Sequence, residues 1–85
     1  MNDTEFDILD ELYFVTSFQE LKQNLGFAEE QLCQGLKRLA KSGFVKCLYP
    51  DPDSEIEFEE STFAENCRNY FFLATKEGLL QHNSR

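Results

Sequence analysis

Residues 17–45, SFQELKQNLGFAEEQLCQGLKRLAKSGFV, decide the fold. Ser17-Phe18-Gln19-Glu20 has the form of a capping box, in which the Ser17 hydroxyl accepts from the amide three residues on and Glu20 reaches back. The helix it starts carries Leu21 and Leu25 and stops at Gly26, a residue suited to a left-handed cap. Phe27 is the apolar wedge between this helix and the next. The second helix runs from about Ala28 to Lys41 or Ser42, with Leu32, Leu36, Leu39 and Ala40 on one apolar stripe. Glu29 and Glu30 lie at its start and Lys37, Arg38 and Lys41 towards its end, the polarity that the peptide dipoles favour. Gly43 closes it. Gly35 sits inside it, where it disfavours the helix by about 1 kcal/mol relative to Ala, which points to close approach of another backbone or to simple tolerance.

Outward from this pair, TEFDILDELYF (4–14) has Phe6, Leu9, Leu12 and Tyr13 at a helical period. Asp3 or Thr4 is its expected cap. Tyr13-Phe14-Val15 favours a short extended segment. On the other side, Phe44-Val45-Lys46-Cys47-Leu48-Tyr49 is a strand by composition, broken by Pro50-Asp51-Pro52-Asp53. In SEIEFEESTFAENC (54–67), Ile56 and Phe58 alternate with acids, so the segment reads as an acidic loop over 50–67 with a weak strand in it. The unbroken apolar run NYFFLA (69–74) fits the returning strand of a hairpin. Thr75 then caps a last helix, KEGLLQHN (76–83).

With 85 residues there is room for one domain, 1–85, and one core. The chain is 41% hydrophobic, and nine Phe with three Tyr supply large apolar groups. No run approaches the roughly 20 apolar residues that span a bilayer, and the acidic start MNDTEFD lacks the basic-then-apolar order of an export signal. The net charge of −8 is unevenly spread. Residues 1–16 and 51–66 hold acids and no base, and they flank a mildly basic centre. Cys33, Cys47 and Cys67 are odd in number and too far apart for a C-x-x-C site, which argues against a disulfide framework and for three reduced thiols in a cytoplasmic protein.

This order, with Phe18, Leu21, Leu25 and Gly26, then Leu36, Leu39, Gly43, Phe44 and Val45, and finally Ala74-Thr75-Lys76-Glu77-Gly78, resembles the winged helix-turn-helix superfamily, MarR-like and PadR-like regulators in particular. The resemblance implies an α+β fold: a three-helix core with the helix-turn-helix at 17–42, a β-hairpin wing and a short C-terminal helix. It also implies DNA binding by the second helix of the motif.

The residues placed for such contacts, with DNA or with a partner, are Gln31, Gln34, Lys37, Arg38 and Lys41. Several features oppose DNA. Ala28 can neither cap the helix nor hold a phosphate, Glu29 and Glu30 stand at the helix start, and the wing carries seven acids where Lys and Arg are needed to neutralise phosphates. The reading is therefore a small acidic regulatory or adaptor module that works through a protein partner or as a homodimer. A dimeric DNA-binding regulator is the alternative. Phe58, Phe63, Tyr70 and Phe72 are the candidate partner-binding residues of the wing, with burial in the core as their competing use. No catalytic residue, cofactor or metal is expected. His82 is the one imidazole, and Asp51-Pro52-Asp53-Ser54-Glu55 lacks the Gly and distal Glu of a calcium loop.

Overall fold

The computed structural model describes residues 1–84. Its first helix, α1 (Asp3–Asp10), starts one residue before the expected caps, because the Asn2 side chain accepts from the Glu5 amide at 2.8 Å. The extended segment also lies elsewhere than expected. Thr16 Oγ1 donates to the carbonyls of Phe14 (2.9 Å) and Glu11 (3.3 Å), which holds 11–15 as a turn. The strand β1 is Thr16–Ser17. Ser17 caps α2 (Phe18–Leu25) in a complete capping box with Glu20, and Gly26 closes that helix at φ +71°. The chain then enters α3 (Glu29–Lys41), whose N-cap Ala28 makes no side-chain hydrogen bond.

After α3 come β2 (Val45–Leu48) and β3 (Glu55–Ile56). Next are a fourth helix, α4 (Glu60–Asn66), a 3-10 turn (Cys67–Asn69), β4 (Phe71–Ala74) and α5 (Lys76–Asn83). Among the described residues this makes a small α+β domain of five α-helices and one antiparallel sheet, ordered β1-β4-β2-β3. β4 is central. It pairs with β2 from Val45↔Ala74 to Leu48↔Phe71, and with β1 through Thr16↔Phe72.

The acidic loop over 50–67 needs correcting. The weak strand expected in it is present, with β3 pairing to β2 through Cys47↔Ile56, but residues 60–66 are helical and not loop. The physical reason is a spacing of four: Phe63 and Cys67 fall on one face of the helical segment and are both buried, at 1% and 0% exposure. That spacing hides beneath the run of glutamates. Phe63 joins one core with Ile8, Leu9, Leu12, Phe18, Leu21, Leu32, Leu36, Leu39 and Phe72.

The thiols need correcting too. Cys33 of α3 and Cys67 form a disulfide with Cα atoms 6.3 Å apart, a separation inside the usual range. Cys47 alone stays free, and it is buried. An odd count says nothing about which two cysteines meet. Without α4, Cys67 had no visible reason to face α3. The pairing removes the thiol-based ground for a cytoplasmic reading, since disulfides persist mainly in oxidising compartments. Among the described residues, no helix is long and apolar enough to cross a membrane.

Candidate functional site

α3 lies between two other helices. On one side α1 packs against it at Gly35, where an added Cβ would stand 2.6 Å from Ile8 Cδ1. On the other side α4 and the 3-10 turn are joined to it by the disulfide. The apolar stripe of Leu32, Leu36 and Leu39 turns inward, so what remains outside is a ridge of Glu30, Gln31, Gln34, Arg38 and Lys41, with Lys37 half-buried.

Sequence placed five contact residues here, and the structure does bring them onto this one helix. Most already have partners inside the chain. Arg38 Nε meets Glu5 Oε2 of α1 at 2.6 Å. Lys41 Nζ meets Glu60 Oε2 of α4 at 3.1 Å. Gln31 donates to Thr4 Oγ1 at 3.3 Å. At the helix start, Glu29 is held by both Lys22 of α2 and Arg68 beyond α4. The Arg68 guanidinium first, and the Lys22 ammonium after it, keep the Glu29 carboxyl below its ordinary range by hydrogen bonding. Among the described residues Lys37 has no ion pair. Lys46 of β2 pairs with Glu55 at 3.7 Å. The acids of α1, β3 and α4 therefore engage much of the basic centre.

Exposed ion pairs of this kind contribute little to stability. Their relevance is to binding. A phosphate arriving at α3 would have to displace Glu5 or Glu60, and the displaced carboxylate would stay close enough to repel it, within the ~8 Å screening length of physiological salt. Glu29 and Glu30 add to that at the end of the helix where base contacts are made in helix-turn-helix complexes.

No family model, curated protein or solved structure matches the chain. The chemistry of the surface must therefore be read from its own residues. Among those described, no group of three or more His, Cys, Asp or Glu is placed to hold a metal ion.

The four aromatics expected to form a partner-binding wing divide. Phe63 and Phe72 are core, at 1% and 0% exposure, and are not available to a partner. Phe58 and Tyr70 are half-buried and pack against Phe63 with ring centroids 5.4 and 6.0 Å away. Burial pushes the Tyr70 hydroxyl above its ordinary range. Among the described residues, the one run of consecutive exposed apolar groups lies instead in the turn before β1, with Met1, Tyr49 and Leu80 exposed singly elsewhere. Phe14 is 81% exposed, flanked by Tyr13 at 43% and Val15 at 38%. The Tyr13 hydroxyl is fixed to α5 through His82 Nδ1 at 2.9 Å, and the Phe6 and His82 rings stack at 4.3 Å. Sequence reading missed this surface because three consecutive apolar residues were assigned to a strand. The available signal was that they precede a capping box, so the chain turns there.

Proposed function

We propose that this domain is a winged-helix-type interaction module without catalytic chemistry, in which the hairpin of a simple wing is expanded by β3 and α4. Its ligand is a protein surface, and a second copy of the chain is the partner its charge distribution favours. The observation that carries this is the internal pairing of the α3 cations with acids from α1 and α4, because it withdraws the groups that DNA binding requires. A chain of net charge −8 associates with itself only where few carboxylates meet. Residues 12–19, LYFVTSFQ, are free of charge and contain the most exposed aromatic ring, Phe14. Three exposed apolar residues are a small part of the roughly 800 Å² per partner in a stable interface, so the self-association is weak.

Two measurements test the proposal. Light scattering across a concentration series should show the mass rising from that of the 9.9 kDa chain towards twice that value, with Phe14→Ser held at the monomer. A mass that stays at 9.9 kDa at high concentration would overturn self-association. Fluorescence anisotropy with random-sequence duplex at low salt should give no saturable binding. Binding at micromolar protein that Lys37→Ala with Arg38→Ala abolishes would establish the DNA-binding reading in its place.

A further inference from the structure

The three sulfurs sit in different surroundings. Cys47 is 2% exposed on β2, and burial, with the Glu55 charge adding to it, pushes its thiol up to about 12. Cys67 is completely buried. Cys33 is 8% exposed and lines an open cleft of about 280 Å³ between α3 and α4, together with Glu30, Gln34, Lys37, Ala64 and Arg68. Of the two bonded cysteines Cys33 alone keeps any exposed surface, and it faces this cleft, whose charged lining is Lys37, Glu30 and Arg68, the last already paired with Glu29.

Apart from Phe63 in the core and the Phe18 amide donating to the Tyr70 carbonyl at 3.2 Å, the segment that this bond secures has few ties to its neighbours. α4 has no side-chain cap at Glu59, and it starts after residues 57–59, which form no regular structure. Its ties to α3 are the disulfide, the exposed Lys41–Glu60 pair and the pairing of Arg68 with Glu29, while its one fully packed ring is Phe63. Exposed pairs hold a helix weakly. The disulfide is therefore the one covalent constraint keeping 57–70 against α3, alongside the burial of Phe63.

We propose that Cys33–Cys67 is a thiol–disulfide exchange site, opened by dithiol reductants through attack at Cys33 Sγ, and that its opening releases α4 from α3. The inference is independent of the proposed self-association. In the first step a reductant thiolate attacks Cys33 Sγ. A mixed disulfide forms there, and the Sγ–Sγ electron pair leaves on Cys67, which takes up a proton. In the second step the other sulfur of the reductant, as thiolate, attacks its own half of the mixed disulfide. Cys33 leaves as a thiolate and is protonated in turn. The reductant ends as a cyclic disulfide, oxidised by two electrons. The two protons its thiols gave up end on Cys33 and Cys67. Lys37, the lining cation without an ion pair among the described residues, draws the incoming thiolate and stabilises the departing Cys33 thiolate against the opposing charge of Glu30 in the same cleft.

The test uses the oxidised protein under native conditions with dithiothreitol as the probe. Alkylation with iodoacetamide followed by peptide mass analysis should label none of the three cysteines before reduction. After reduction it should label Cys33 and Cys67 and leave Cys47 unlabelled until the chain is denatured. Trapping with a monothiol should place the mixed disulfide on Cys33. Lys37→Gln should slow the reduction several-fold without moving the thermal midpoint of the oxidised form. Hydrogen exchange after reduction should accelerate over 57–70 well beyond the general loss of protection seen in α1, α2 and β4. The proposal fails if the mixed disulfide forms on Cys67, if the bond resists dithiothreitol until the chain is denatured, or if Cys47 is labelled at the rate of Cys33. It also fails if exchange over 57–70 accelerates no more than over α1, α2 and β4, since loss of the bond would then act only through the stability of the fold at large.

Discussion

Replacing both Cys33 and Cys67 by Ala removes a cross-link between residues 34 apart in sequence. On the chain-entropy relation, closing a loop of about 34 residues lowers the entropy of the unfolded chain by about 12.6 cal/mol/K, which is about 3.8 kcal/mol at 25 °C. Globular domains unfold with about 2.1 cal/mol/K per residue near 60 °C, so a chain of this length has an unfolding entropy of about 180 cal/mol/K. The quotient is a fall in thermal midpoint of about 20 °C. Circular dichroism melts of the oxidised protein and of the double variant, both without reductant, measure it. Reduced wild type should melt close to the double variant, because both lack the same constraint. The urea dependence of the unfolding free energy should also steepen in the double variant, as the unfolded chain is no longer held compact. A midpoint within a few degrees of the oxidised protein would refute the reasoning, since the cross-link would then not be limiting the unfolded ensemble.

Gly35→Ala should destabilise by about 1 kcal/mol, because overpacking by about 1–3 kcal/mol outweighs the roughly 1 kcal/mol gain in helix propensity. Ile8→Val removes the atom that the new Cβ would meet, so urea denaturation of the four proteins of a double-mutant cycle should show a favourable coupling between the two changes. Cys47 holds its proton in the folded state up to about 12, against 9.0 ordinarily. Its contribution is therefore complete below pH 9.0 and is lost as pH rises towards about 12, so urea midpoints should fall over that window and Cys47→Ala should flatten the decline. Glu29 has the opposite sign. Its lowered folded value means that its contribution is present above the ordinary 4.5 and is lost as pH falls through the folded value. Thermal midpoints followed into acid should decline less steeply in Glu29→Gln than in wild type.

Local signals carried the centre of the chain. Ser17 with Glu20, Gly26, the Leu32–Leu36–Leu39 stripe and the Thr75 cap are each written within a few residues, and each forms as read: Thr75 Oγ1 accepts from the Gly78 amide at 3.1 Å. Gly35 was legible as a place of close approach, although the neighbour is the Ile8 side chain and not a backbone. What failed was set at a distance. α4 has no side-chain cap and only seven residues, so its helical character rests on Phe63 and Cys67 meeting a core assembled from elsewhere. The disulfide required knowing that α4 exists. The partners of Arg38 and Lys41 lie 33 and 19 residues away, so charge counting along the chain found the basic cluster without finding the acids that engage it. The exposed Phe14 followed from two hydrogen bonds of Thr16, which composition does not reveal.

The position of β4 has a consequence for how the chain can be cut. β1 has a single sheet neighbour, and that neighbour is β4, through Thr16↔Phe72 and Ser17↔Phe71. The Ala74 amide also donates to the Leu12 carbonyl at 3.0 Å, beside the same junction. A fragment ending at residue 70 would keep the helix pair and β2 with β3, yet it would leave β1 without a strand and the Leu12 carbonyl without its donor. On a ribosome, the sheet therefore cannot close until β4 has been made, and β1 waits for a partner more than fifty positions downstream.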